Sequence, residues 1–156
     1  MEISKVLDEL EKLEHAMAKT YEWMAEIFDA DDEASAFFAQ MARDEVSHAN
    51  LVKYERRLVR ADPDAFASKV DVPPEIIGNA LKCIAGFRAA TPAPTLVQAL
   101  RFALKMEADC AESLHREVVL QANPGLGSLI GNLAKADARH YEQLEAFVAA
   151  RNELFD

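Results

Sequence analysis

Four stretches of this chain carry apolar residues at alternating steps of three and four, and each stripe is interrupted near its middle by an acid. That spacing marks one face of an α-helix, so the pattern calls for four amphipathic helices that bury their stripes against one another. The first stripe reads Leu7, Leu10, Glu14, Met17, Tyr21, Met24 and Phe28, on a helix expected from about Ser4 to Phe28. The second reads Ala34, Phe38, Met41, Glu45, His48, Val52, Glu55 and Val59. The third runs through Leu96, Leu100, Ala103, Glu107, Cys110, Leu114 and Val118, and the fourth through Ile130, Leu133, Asp137, His140, Leu144, Phe147 and Arg151.

Breaker and cap residues divide these stripes. The run Asp29-Ala30-Asp31-Asp32-Glu33 ends the first helix and offers the second an N-cap and a negative first turn. Pro63 stops the second near Arg60-Ala61-Asp62, Thr95 caps the third, Asn123-Pro124-Gly125 ends it, and Ser128 opens the fourth. Between about 62 and 94, prolines bracket the apolar segment from Glu75 to Phe87, which reads as a long crossover containing a short helix. The expected fold is therefore all-α. Two antiparallel helical hairpins joined by one long crossover make a ferritin-like four-helix bundle, a single domain over residues 1–156.

A formal net charge of -10, with Lys and Arg mixed among the acids, argues against a nucleic-acid partner. No basic segment followed by an apolar run opens the chain, and no stretch has the length to cross a bilayer, so the expectation is a soluble cytoplasmic protein without membrane contact. Cys83 and Cys110 are the only cysteines and form no Cys-x-x-Cys pair, so any metal must be held by oxygen and nitrogen. Both cysteines read most simply as small apolar packing residues.

The acids on the four stripes are Glu14, Glu45, Glu107 and Asp137. Burying one ionised carboxylate costs several kcal/mol after relaxation, and four in one core would also repel one another, so positive charge is required among them. On the second and fourth helices the acid is followed three residues later by histidine, as Glu45-Val46-Ser47-His48 and Asp137-Ala138-Arg139-His140. Acid and imidazole then share a face one turn apart. The halves also repeat: 31 residues separate Glu14 from Glu45 and 30 separate Glu107 from Asp137.

Two divalent cations would balance four carboxylates, with neutral imidazoles completing the coordination. Glu14, Glu45, His48, Glu107, Asp137 and His140 are the candidate metal ligands, with Glu45 or Glu107 as bridges. The competing reading places the acids at the bundle edge as solvated or capping residues and the histidines in hydrogen bonds within the core. Glu55 is read as a bundle-end residue, and His15 and His115 as surface residues. Tyr21 stands two turns beyond Glu14, where its hydroxyl can reach a ligating carboxylate, although core packing is the simpler explanation. Trp23, off that seam, is read as a partly exposed or dimer-facing ring.

The set Leu13-Glu14 with Tyr21, Ala42-Arg43-Asp44-Glu45-Val46-Ser47-His48-Ala49, Met106-Glu107, and Leu133-Ala134-Lys135-Ala136-Asp137-Ala138-Arg139-His140 resembles the rubrerythrin branch of the ferritin-like di-iron carboxylate superfamily over nearly the whole chain. The resemblance implies a non-haem site of two iron ions, with zinc or manganese as other occupants, that reduces peroxide or reacts with dioxygen. It implies a separate electron donor protein, since the chain has too few cysteines for a rubredoxin domain, and a homodimer. The sequence departs from the family at Asp137, where Glu is usual, at Cys110, where classical members carry a further Glu, and at Leu114, where a tyrosine would mirror Tyr21. An iron- or metal-handling module without a dedicated substrate, or a metal-free helical interaction domain, are the alternatives.

Overall fold

A computed structural model describes residues 1–109 and 111–151, without the side chains of residues 109, 111, 112 and 137. The described residues form six α-helices in order: α1 (Ile3–Ile27), α2 (Asp32–Ala61), α3 (Pro74–Ala90), α4 (Leu96–Asp109), α5 (Ala111–Ala122) and α6 (Gly127–Ala150), with a 3₁₀ turn at Pro63–Ala65. The described residues contain no strand beyond an isolated bridge between Glu2 and Lys69. None of the described helices is long and apolar enough to cross a membrane.

The most extensive packing is between α1 and α2, whose short connection makes them antiparallel. Asp31 caps α2 by accepting from the Ala34 amide at 3.1 Å, and Asp32 and Glu33 place negative charge in its first turn. The Ser35 hydroxyl donates back to the Ala25 carbonyl at 2.8 Å, closing the corner. The same Asp31 carboxylate receives both Arg151 guanidinium nitrogens, at 2.8 and 2.9 Å, which ties the end of α6 to the start of α2. Those donors hold the Asp31 carboxyl down at about 2, below its ordinary 3.8.

The segment between α2 and α4 carries a helix, and that helix is longer than the apolar segment suggested. Pro73 and Pro74 start α3, and it runs 17 residues, burying Ile77, Ala80 and Ile84. It packs on α1, where Trp23 meets Phe87 edge-on at 6.2 Å under the Arg88 guanidinium, while Phe87 stacks on Phe102 of α4 at 4.2 Å. Trp23 is therefore half-buried against the crossover helix. Backbone hydrogen bonds from Ile3 to Ser68, Val70 to Met1 and Ala67 to Ala122 fasten this segment to the start of α1 and the end of α5.

Thr95 and Gln98 form a reciprocal capping box: the Gln98 amide donates to Thr95 Oγ1 at 3.2 Å and the Thr95 amide to Gln98 Oε1 at 2.9 Å. This fixes the start of α4 where the sequence placed it. α6 packs against both α4 and α5, and the core gathers Leu7, Leu10, Leu13, Met17, Phe38, Val52, Leu100, Ala103, Met106 and Leu144.

Candidate metal centre

Residues one turn apart on α2 and single residues on α1, α4 and α6 meet at mid-height in this core. Glu14 and Glu45 are 1% exposed, His48 8% and His140 3%. The Glu107 side chain is 2% exposed. Their seams bury them because the positions on either side, such as Leu10 and Met17 or Met41 and Val52, are themselves core residues.

Glu45 stands between the two imidazoles. Its Oε2 lies 3.2 Å from His48 Nδ1 and its Oε1 lies 3.7 Å from His140 Nδ1. Each ring also faces a second acid through that same nitrogen: His48 Nδ1 is 3.9 Å from Glu14 Oε2, and His140 Nδ1 is 3.2 Å from Glu107 Oε2. Ligand atoms of Glu45, His48 and His140 all fall within 4.8 Å of one another. The two rings meet edge-to-face, with centroids 5.6 Å apart.

Tyr21, fully buried, donates its hydroxyl to Glu107 Oε1 at 2.5 Å, linking α1 to α4. Five of the six sequence-predicted ligands, Glu14, Glu45, His48, Glu107 and His140, are thus brought into one cluster. The Asp137 side chain and Cys110 lie outside the described residues.

The electrostatics are lopsided. Among the described residues, three buried carboxylates stand beside two imidazoles in this cluster. The carboxyl of Glu14 is held well above its ordinary 4.5, chiefly by burial and then by the neighbouring charge of Glu45. Glu14 Oε2 has no hydrogen-bond partner among the described residues. A buried set of carboxylate oxygens and imidazole nitrogens fits divalent transition metals, and iron, zinc and manganese all accept such ligands.

Two readings from sequence are corrected. His115 is not a surface residue: it is 2% exposed, and its Nε2 lies 2.8 Å from Glu55 Oε2. Glu55 is not at an open bundle end but fully buried, with Oε1 lacking a hydrogen-bond partner among the described residues. Its place on the α2 seam was the available signal, since a buried acid there needed a counterpart on another helix.

Comparisons of this chain with protein-family profiles, with characterised proteins and with solved structures found no match.

Proposed function

We propose that the chain is a ferritin-like four-helix bundle, with α4 and α5 together supplying the third helix, and that its core holds a pair of divalent metal ions, iron first among them. On this reading it is a non-haem di-iron oxidoreductase, akin to the rubrerythrin branch, that reduces peroxide or reacts with dioxygen. The observation that carries the reading is Glu45, whose two oxygens face the Nδ1 atoms of two different histidines at 3.2 and 3.7 Å. That arrangement suits a carboxylate shared by two cations.

Glu14 with His48 and Glu107 with His140 would hold the two ions, with Glu45 shared between them, and Asp137, three residues before His140, would be a further candidate ligand by its place in the sequence. Bound iron would supply the one-electron changes and the Lewis acidity that the side chains lack. The chain's own residues do the rest. The apolar walls, Leu10, Met17, Met41, Ala103 and Leu144, exclude bulk water and strengthen the electrostatics inside. Tyr21 holds its proton on Glu107 Oε1, fixing that carboxylate's orientation, as partners behind metal ligands commonly do. Electrons come from a separate donor.

Stopped-flow mixing of anaerobic ferrous-loaded protein with hydrogen peroxide tests the reading. A rapid change to a ferric absorption spectrum is expected. An unchanged spectrum in protein shown to hold iron would contradict the oxidoreductase assignment.

A further inference from the structure

His140 presents its two ring nitrogens to different neighbours. Nδ1 faces acids of the candidate centre, Glu107 Oε2 at 3.2 Å and Glu45 Oε1 at 3.7 Å. Nε2 faces an acid outside the candidate ligand set, Asp44, whose Oδ2 lies 3.9 Å away. The His140 side chain is 3% exposed and that of Asp44 26%, so this acid stands at the rim of the core, behind the imidazole. It comes from α2, one residue before Glu45.

Asp44 is itself held in place. Gln40 Nε2 donates to Asp44 Oδ1 at 2.9 Å, and Gln40 Oε1 accepts from Arg43 Nε and Nη2 at 3.2 and 2.7 Å. One oxygen of Asp44 is thus engaged along its own helix, and the other is the one turned to His140. A cavity of about 180 Å³ between α2 and α6 reaches both imidazoles, and Asp44, Ser47 and Arg139 give it a polar lining.

We propose that Asp44 is a positioning residue for the candidate centre, accepting the Nε2–H of His140 so that Nδ1 is left to bind a cation. A neutral imidazole carries one N–H, so an acceptor at one nitrogen selects the tautomer whose other nitrogen offers its lone pair. Histidines that hold metals commonly place their second N–H on a carboxylate, which fixes the ring and makes it a more basic ligand. The 3.9 Å separation is longer than a direct hydrogen bond, and the partial exposure of Asp44 leaves its side chain room to close it. The inference rests on the metal reading above.

Titration of the metal-free protein with cobalt(II), followed by its visible absorption, tests it in wild type, Asp44→Ala and Asp44→Glu. Asp44 lies at the rim, so its replacement leaves the core packing intact. Asp44→Ala should bind one of the two ions at least about tenfold less tightly, within the 10–100-fold that such partners are worth. Asp44→Glu, which keeps the carboxylate, should recover part of that loss. The loss should persist at high salt, which screens the through-space effect of a partly exposed charge far more than a contact. A loss equal in both variants, or one that salt abolishes, overturns the proposal. Cobalt binding equal in wild type and Asp44→Ala also removes this inference and leaves the metal reading standing, whereas a wild type that binds no cobalt removes both.

Discussion

The hydroxyl of Tyr21 on α1 and the carboxylate of Glu107 on α4 meet at 2.5 Å in the core, joining two helices 86 residues apart in sequence. The bond is charge-assisted if Glu107 is ionised and satisfies a phenol that is otherwise sealed from water. It also fixes which Glu107 oxygen is left to face His140.

Tyr21→Phe removes this bond and keeps the ring. The metal-free variant should be less stable by about 1.5–3 kcal/mol, the range for hydrogen bonds to charged groups. Thermal unfolding would read this as a drop of several degrees at this chain length. An unchanged midpoint would mean that the hydroxyl does not hold Glu107 in place.

A second buried pair, Glu55 and His115, makes a sharper test of helix packing, because α2 and α5 meet through it at 2.8 Å. His115→Ala should cost about 3–5 kcal/mol by leaving Glu55 buried and uncompensated. Glu55→Met combined with His115→Leu should recover most of that loss, since an apolar replacement needs no partner. Denaturant unfolding of the two variants checks the order, and a double variant less stable than the single would contradict it.

The position of Glu14 gives a pH dependence whose sign is set by its raised pKa. In the folded metal-free chain burial and Glu45 hold the Glu14 carboxyl well above the 4.5 it would have when unfolded. The unfolded state then releases its proton first, so folding stability is lost as pH rises from 4.5 through the folded value. Glu14→Gln, which never ionises, should therefore be more stable than wild type in metal-free protein near neutral pH. The two should converge as pH falls below the carboxylate range. Thermal unfolding of both across that window checks the claim, and a constant difference would refute it.

The seams of α1 and α2 were legible because their buried positions follow a strict helical period, from Leu7 to Met24 and from Ala34 to Glu55. On those stripes a buried acid stands out, and the matched acid-x-x-His spacing pointed to where Glu45, His48 and His140 meet. The bond from Tyr21 to Glu107 was open to sequence reasoning only as one use of the hydroxyl. The burial of His115 was not visible. Its partner lies 60 residues away on α2, and only tertiary packing brings the two together. The third stripe was the least exact, for the buried positions among the described side chains of α5 are His115, Val118, Val119 and Ala122, while Leu114 is only half-buried. The end of α3 also ran past the apolar segment, because Arg88 and Ala89 extend the helix on its exposed side without adding to the core.

Metal content decides whether Glu45 is the shared ligand of a two-ion centre. The purified chain would be loaded anaerobically with ferrous iron, desalted and assayed for iron per chain, wild type beside Glu45→Ala. The account predicts about two irons per wild-type chain, the content of di-iron carboxylate bundles, and clearly fewer in the variant. Retention of no iron by the wild type, or of equal iron by both proteins, would contradict it.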